Sequence, residues 1–234
     1  MEKSIVIKVG GSIIYDDNLD VNFSFLRKLK EWYDSSFSEY SKIVVVVGGG
    51  KLSRMIHEKV SKKIKEEEYL HQIGMSVTQI SANIVAGYLD DKEIYIPRKL
   101  GDAYEYLYNE EQVRMVSGGL KVGWSTDMDA VVYADILQLD RVFKISNVDY
   151  LYDSDPRKNN GAKPLLDISW DEYFKLFCIT KDSVHIANSN IPIDPQCAQF
   201  ANIKGIGMHL TGGSLIEEIK NLTNLLQGGS YIHP

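Results

Sequence analysis

Residues 43–54 read Ile-Val-Val-Val-Val-Gly-Gly-Gly-Lys-Leu-Ser-Arg. The β-branched run Ile43–Val47 predicts a buried strand, and the glycines of Gly48–Gly50 end it. Apolar residues then recur every three to four positions, which predicts a helix from about Lys51 to Lys65. A strand that leads directly into a helix is the unit from which parallel sheets are built, so this stretch indicates an α/β fold.

The same alternation extends over the rest of the chain. Further strands are predicted over Ser4–Val9, Glu93–Ile96, Gln112–Val116, Val142–Ser146 and Ile206–Leu210. Further helices are predicted over Leu19–Tyr33, Tyr69–Leu89, Asp127–Leu137 with Asp127 as the cap, Trp170–Phe177, Pro195–Asn202 and Ser214–Asn221, and a polar loop over Asp153–Asp167. This order predicts a three-layer α/β/α sandwich around a mainly parallel central sheet, in a single domain spanning residues 1–234.

The charge composition limits the kinds of molecule that the protein is expected to bind. The 234 residues include 26 basic and 32 acidic side chains, which gives a net charge of −6. A general nucleic-acid or membrane-surface binder needs a basic face, so neither partner is expected, whereas one nucleotide needs only a few local donors. Cys178 and Cys197 are expected to be reduced and to lie in or near the core. We see no signal peptide and no apolar run of about 18–20 residues, so we expect a cytoplasmic protein.

The first predicted strand ends in Lys8-Val9-Gly10-Gly11-Ser12. Glycines at a strand end allow a sharp turn whose N–H groups can approach an anion closely. Lys8 adds a mobile positive charge, which suits a phosphoryl group in its transition state. A turn glycine is often purely structural, so this cluster alone is a weak indication of phosphate binding.

A second glycine cluster, Gly48–Gly50, opens the helix that follows the next strand. Helix N-termini attract phosphate, and Arg54, one turn into the helix, can add a bidentate contact. Ligands of open α/β sheets gather at the carboxyl ends of the strands, so two such clusters together predict a phosphate site more strongly than either alone. Neither cluster is a Walker loop, which would read G-x-x-x-x-G-K-[ST].

Three later segments carry further polar candidates. Ser125 and Thr126 end a glycine-rich loop and can hydrogen-bond a ligand. The segment Asn147–Lys158 offers polar and aromatic groups to a nucleotide, but it also fits a plain polar loop. Asp194 stands before a proline and is either a helix N-cap or an acid that orients Lys8 and Mg²⁺; sequence physics alone favours the cap.

Together these residues resemble the amino-acid-kinase family, and most closely its uridylate (UMP) kinases of the archaeal type. The order and spacing of seven motifs carry the resemblance over nearly the whole chain. The motifs are Lys8–Ile13 (K-x-G-G-S), Val47–Arg54 (V-G-G-G-K-x-x-R), Ile73-Gly74 with Thr78 (I-G-x-x-x-T), Gly118–Ala130, Asn147–Pro156, Pro192–Ala198 and Gly229–Pro234.

The resemblance implies an ATP-dependent kinase that transfers a phosphoryl group in line, with UMP as the best acceptor and Mg²⁺ bound with the ATP. It also implies an acceptor-side half over about 1–135, a nucleotide-side half over about 136–234, and assembly into dimers or hexamers. Lys8 and Asp194 would be the catalytic residues. ATP would contact Gly10, Gly11, Ser12, Asn147, Tyr152, Asp155 and Lys158, and the acceptor would contact Gly49, Gly50, Arg54, His71, Gly74, Ser125 and Thr126. No residue is assigned as a metal ligand.

Some positions depart from the uridylate kinase pattern and leave the acceptor open. His71 stands where those kinases have an acid that holds ribose hydroxyls, and a neutral imidazole accepts only one hydrogen bond. Gln79 and Ser81 replace an arginine and an asparagine, and Tyr150 replaces a glycine, which would strain the loop if that site needs a positive φ.

Two alternatives therefore remain beside a UMP kinase. One is a family kinase for another small phosphomonoester or carboxylate. An isoprenyl phosphate ranks lower among these acceptors, because Lys51–Arg54 lacks the histidine that isopentenyl-phosphate kinases use. The other is a non-catalytic nucleotide-binding or regulatory protein on the same fold.

Overall fold

The computed structural model describes residues 3–156, 158–183, 191–213 and 228–234. The helix predicted over Ser214–Asn221 lies outside these residues. Within them, no helix combines the length and the apolar character that crossing a membrane requires.

A central sheet carries the fold. The strands of the described residues are β1 (Ser4–Val9), β2 (Lys42–Val47), β3 (Val113–Ser117), β4 (Arg141–Ser146), β5 (Leu151–Tyr152), β6 (Pro164–Leu165), β7 (Asp167–Ser169), β8 (Gly207–Gly212) and β9 (Ser230–His233). Strands β5 and β6 form a separate two-stranded ribbon, and the other strands form the central sheet. Among the described residues the sheet has the strand order β3-β2-β1-β4-β8-β9-β7. The first five strands in this order are parallel, and β9 joins β8 antiparallel. The predicted mainly parallel sheet is therefore confirmed.

Helices cover both faces of the sheet. They are α1 (Gly11–Ile14), α2 (Phe23–Ser36), α3 (Gly50–Val60), α4 (Glu67–Leu89), α5 (Leu100–Asn109), α6 (Thr126–Ile136), α7 (Trp170–Leu176) and α8 (Pro195–Lys204). One apolar core packs Val6 of β1 against α5, α6, α7 and α8, and the other packs Ile5 and Ile7 of β1 against α2 and α4. Alternate side chains of one strand thus enter opposite cores, which confirms the three layers.

Local capping explains where two helices begin. The helix predicted from Leu19 begins at Phe23, because the Asn22 side chain accepts a hydrogen bond from the Phe25 amide and caps it. The prediction of Asp127 as a cap was wrong. The Ser125 hydroxyl accepts from the Met128 amide at 3.1 Å and caps α6, which places Asp127 inside the first turn.

Other differences are smaller. The strand predicted over Glu93–Ile96 is reduced to one bridge between Tyr95 and Met115. Helix α5 was not predicted, and α3 ends at Val60 rather than near Lys65. Both cysteines are free, as expected, and Cys197 is buried, but Cys178 is exposed rather than in or near the core.

Candidate active site

The two glycine turns lie side by side at the carboxyl edge of the sheet. Parallel pairing sets Val9 opposite Val47, so β1 and β2 end together and their turns begin at the same level. A Cβ atom on Gly11 would lie 2.6 Å from the Gly49 carbonyl carbon, closer than real Cβ contacts come. Gly50 has a φ of +54°, which favours glycine. This close approach of two backbones explains why side chains are missing from both turns.

Arg54 joins the two turns. It lies in α3, and its Nη2 donates a hydrogen bond of 3.2 Å to the Ser12 hydroxyl in α1. A guanidinium has five N–H donors and can therefore contact more than one group. The side chain of Arg54 therefore lies where it can reach an anion at either turn.

Lys8 belongs to a buried charge cluster under the turns. Its Nζ lies 3.0 Å from one carboxylate oxygen of Asp127, and Lys144 Nζ donates to the other oxygen at 2.6 Å. Burial alone would raise the pKa of Asp127, but the charges of Lys144 and Lys8 outweigh it and lower the pKa to about 2. Burial lowers the pKa of Lys8; Asp127 opposes this shift and Lys144 adds to it. Asp127 thus stays ionised and fixes two lysines at the sheet edge.

Asp194 connects two helix starts. Its Oδ1 accepts from the Cys197 amide at 3.0 Å and caps α8, as the sequence favoured. Its Oδ2 accepts from the Ser125 hydroxyl, which itself caps α6. Asp194 is 5% exposed, so its carboxylate is buried between the two helix starts.

A cleft opens between the second glycine turn, α3, α4 and the loop before α6. Its cavity volume is about 190 Å³. All seven predicted acceptor residues line it, namely Gly49, Gly50, Arg54, His71, Gly74, Ser125 and Thr126. The remaining lining residues are Ser53, His57, Leu70, Ile73, Met75, Thr78, Gly119 and Trp124. Segments far apart in the sequence thus meet in one cavity.

The predicted nucleotide residues divide into two groups. Asn147 follows β4 and lines a depression shared with Ile13 and Gly213, beside the first glycine turn. Gly10 belongs to the same region, since its amide donates to the Ile145 carbonyl at 2.8 Å. Tyr152 lies on β5, and Asp155 and Lys158 lie in the loop that connects β5 to β6 in the separate ribbon. Tyr150 has no positive φ, so the strain expected there does not arise.

Lys144, His57, Trp124 and Asp129 are site-region residues that sequence reasoning missed. Lys144 is paired with Lys8 through the β1–β4 register, which periodicity cannot reveal. His57 stands one helical turn after Arg54, and that spacing was a usable signal. Asp129 is fully buried near the loop, where the Leu120 amide lies close enough to its carboxyl group to hydrogen-bond it. Burial raises its pKa to about 8; the Leu120 amide opposes the shift and the charge of Asp194 adds to it.

The side chains of the site can be compared with those that the Mg²⁺ expected with ATP would need. Within the described part of the chain, no group of three or more His, Cys, Asp or Glu side chains could hold a metal ion. Mg²⁺ in phosphoryl-transfer sites usually keeps several waters and binds substrate phosphates with one or two carboxylates. The site therefore fits an ion that arrives with the nucleotide, not a cage built by the protein alone.

The fold and the cleft define an α/β protein with two glycine turns side by side at one edge of a parallel sheet. The model of the "Amino acid kinase family" matches residues 3–212, and the chain belongs to that family.

Individual relatives are uridylate kinases by name. The chain is 34% identical over 211 residues to the uridylate kinase of Pyrococcus abyssi, covering 89% of each protein. It is 28% identical to the uridylate kinase of Thermococcus onnurineus over 98% of this chain and 99% of that protein. The crystal structure of uridylate kinase from Archaeoglobus fulgidus superposes with a TM-score of 0.75 at 21% identity, over 97% of this chain and all of that one. The isopentenyl phosphate kinase of T. acidophilum superposes with a TM-score of 0.70 at 18% identity, over 99% of this chain and 100% of that one. At such identities the structural likeness shows the fold alone.

Proposed function

We propose that this chain is an ATP-dependent uridylate kinase that converts UMP and ATP to UDP and ADP. The observation that carries the proposal is the cleft, because it gathers the seven expected acceptor residues beside the first glycine turn. Relatives that match over most of their length and are named uridylate kinases support the same acceptor.

The geometry supports different roles for the two glycine turns. The amides of Gly49 and Gly50 and the Arg54 guanidinium would hold the acceptor phosphate, and Gly10, Gly11 and Ser12 would lie against the ATP phosphates. An acceptor phosphate oxygen would bond to the γ-phosphorus as the bond to the β–γ bridging oxygen breaks, and ADP leaves with that oxygen. Lys8 would stabilise the charge on the transferring group.

Further parts of the proposal rest on the family. Mg²⁺ would enter with ATP and neutralise charge on its phosphates, while Asp194 helps to organise Lys8 and the ion. Asn147, Tyr152, Asp155 and Lys158 would border the nucleotide, with the halves dividing near residue 135. A cytoplasmic homo-oligomer, a dimer or a hexamer, completes the proposal.

The test is an assay of ADP and UDP formation with UMP as acceptor. Wild type should convert UMP, and Lys8→Met should abolish turnover while the circular dichroism spectrum stays folded. Lys42→Met is the matched control, because Lys42 also lies on a strand and donates to the Leu107 carbonyl away from the cleft. It should keep wild-type turnover. A folded wild type that binds ATP but ignores UMP contradicts the proposal.

A second candidate is a kinase for another small phosphomonoester. The observation that favours it is that the described residues of the cleft lining include His57 and His71 but no acidic side chain. A thermal-shift panel of UMP, other nucleoside monophosphates, isoprenyl phosphates and acidic amino acids, with and without Mg-ATP, separates the candidates. The acceptor should raise the unfolding free energy by about 2.7 kcal/mol at a hundredfold excess over its Kd. ATP affinity without turnover across the panel would favour a non-catalytic protein.

A further inference from the structure

Trp124 contributes an aromatic ring to the wall of the acceptor cleft, and the proposed mechanism gives this ring no role. The sequence contains three tryptophans. Trp32 and Trp170 are buried in the two apolar cores, whereas Trp124 packs against one core and is only partly buried. Part of the Trp124 side chain therefore borders the cavity, where a bound ligand can touch it.

The loop that carries this tryptophan is fixed at both ends. At its start, the Gly119 amide donates to Thr78 Oγ1 at 2.7 Å, and the Gly119 carbonyl accepts from Gln79 Nε2 at 3.0 Å. Thr78 and Gln79 both belong to α4. At its end, the Ser125 hydroxyl accepts from the Met128 amide and caps α6. The loop is thus held between two helices, which keeps the aromatic ring in place before a ligand binds.

A turn and a cation set the position of the ring within the loop. The Trp124 amide donates to the Lys121 carbonyl at 3.1 Å, and Gly123 between them has a φ of +83°, a value that favours glycine. Lys121 Nζ lies 4.1 Å from the centroid of the indole, as a cation–π contact. Lys121 is exposed and is not one of the residues that line the cleft. The ammonium group therefore holds the ring from outside the cavity.

The cleft combines two kinds of surface. The Arg54 guanidinium and the amides of Gly49 and Gly50 offer N–H groups to a phosphate, whereas Trp124 and Met75 present apolar surface. A ligand that matches both carries an anion and a flat apolar ring. A nucleoside monophosphate has this chemistry, and a base that stacks on an aromatic side chain gains affinity from the contact of the two ring faces.

We propose that the Trp124 indole stacks on the pyrimidine base of the acceptor and so selects for an acceptor that carries a flat ring. This inference rests on the proposed function and adds a specificity-determining residue to it. The base is remote from the phosphate that reacts, so the contact should be the same before and during transfer. Its loss should therefore raise KM for UMP and leave kcat nearly unchanged.

The first experiment measures Kd by isothermal titration calorimetry for three probes. They are UMP, ribose 5-phosphate, which has no base, and 5,6-dihydrouridine 5′-monophosphate, which keeps the imide edge of the base but has a puckered ring. Wild type should bind UMP about fivefold or more tightly than the dihydro probe. Trp124→Leu should lose that preference and keep the wild-type Kd for ribose 5-phosphate. Trp124→Phe, which keeps a flat ring, should retain most of the preference.

The second experiment follows the fluorescence of the tryptophans. UMP should quench the emission of wild type, because a stacked base would contact the partly exposed indole, whereas Trp32 and Trp170 are 6% and 0% exposed. The quenching should disappear in Trp124→Phe, although this variant still binds UMP. A side chain that only packs the loop would show no such quenching, so UMP binding without a change in Trp124 emission would contradict the contact.

A matched control removes an aromatic ring elsewhere. Tyr108 of α5 is 72% exposed and is not one of the residues that line the cleft, so Tyr108→Leu should bind all three probes as wild type does. The melting temperature of each variant shows whether it is folded. Should Trp124→Leu fail to fold, the quenching of wild type by UMP and its loss in Trp124→Phe decide the question.

The outcomes separate this inference from the proposed function. If wild type converts UMP and folded Trp124→Leu still prefers UMP to the dihydro probe by the wild-type factor, the role of Trp124 is wrong and the uridylate kinase stands. If wild type neither binds nor converts UMP, both proposals fall together. A prenyl phosphate that binds wild type more tightly than UMP would also overturn both, because the apolar wall would then serve a chain rather than a base.

Discussion

Lys8 and Lys144 occupy paired positions on neighbouring parallel strands and contact opposite oxygens of the same carboxylate, that of Asp127. Both lysine side chains are less than a tenth exposed. Two buried cations can lie this close because the anion between them compensates their charges. The position of Lys8 at the site therefore depends on a residue in α6 and on the register of the sheet.

The first prediction concerns that shared anion. Asp127→Asn leaves two buried ammonium groups without a charged partner, so the free energy of unfolding should fall by about 3–5 kcal/mol in urea denaturation. Asp135→Asn is the matched control on the same helix, because its pair with Lys204 is partly exposed, and it should cost about 0–1 kcal/mol. Equal costs for the two variants would contradict the account of the cluster.

The same cluster sets an acid limit on stability. The pKa of Asp127 is lowered from 3.8 to about 2, so its stabilising contribution is present above about pH 4 and is lost as the pH falls towards 2. The stability difference between wild type and Asp127→Asn should shrink over that range. A difference that is constant between pH 5 and pH 2 would show that the carboxylate is not held ionised by the lysines.

The contact between the glycine turns predicts a second result. Gly11→Ala places a Cβ atom 2.6 Å from the Gly49 carbonyl carbon, so the turns must separate. KM for both ATP and UMP should rise, and the melting temperature should fall. Gly101→Ala in α5 is the control and should leave KM unchanged while raising stability by up to about 1 kcal/mol, because alanine is the better helix former.

The Arg54 side chain predicts a selective kinetic effect. Arg54→Lys keeps the charge but loses the planar fork that binds phosphate through two N–H groups. KM for UMP should rise about tenfold or more, with a smaller change in KM for ATP, in steady-state assays that vary one substrate at a time. Lys59→Ala, exposed on the same helix, should leave both constants unchanged. An unchanged KM for UMP in Arg54→Lys would remove this arginine from the acceptor site.

Asp129 predicts a stability profile of opposite sign. Its pKa is raised from 3.8 to about 8, so the unfolded chain ionises before the folded one and folding loses stability as the pH rises from about 4 to about 8. The advantage of Asp129→Asn over wild type should grow by up to about 1.4 kcal/mol per pH unit across that window. A flat difference in urea titrations at pH 4, 6 and 8 would contradict the burial of this carboxyl group in a protonated form.

Much of the architecture is predictable from local pattern. The runs Ser4–Val9 and Ile43–Val47 are β-branched, and such residues pack well in a sheet buried on both faces. The helix α5 was missed because Leu100–Asn109 contains a glycine and several tyrosines, which are weak helix formers that tertiary packing overrides.

Part of the site was also predictable from the sequence, but from motif spacing rather than from hydrophobic pattern. The spacing of the sequence motifs predicted the acceptor residues. Only the folded structure shows that His71 of α4 and Arg54 of α3 line the same cleft. Asp127 was predicted to cap α6, but Ser125 caps it, and Asp127 pairs with two buried lysines that a local pattern does not reveal. The partner of Lys8 depends on strand register and on burial, and a local sequence pattern determines neither.

The central claim is that one glycine turn holds the ATP phosphates and the other the acceptor phosphate, so that the two face each other near Lys8. The most direct test is the affinity of a bisubstrate analogue in which adenosine and uridine are joined by a polyphosphate chain, measured by competition against ATP. The account predicts a Kd lower than that of ATP or UMP by about a hundredfold or more, because one ligand would occupy both turns. An analogue that binds no more tightly than ATP alone would contradict it.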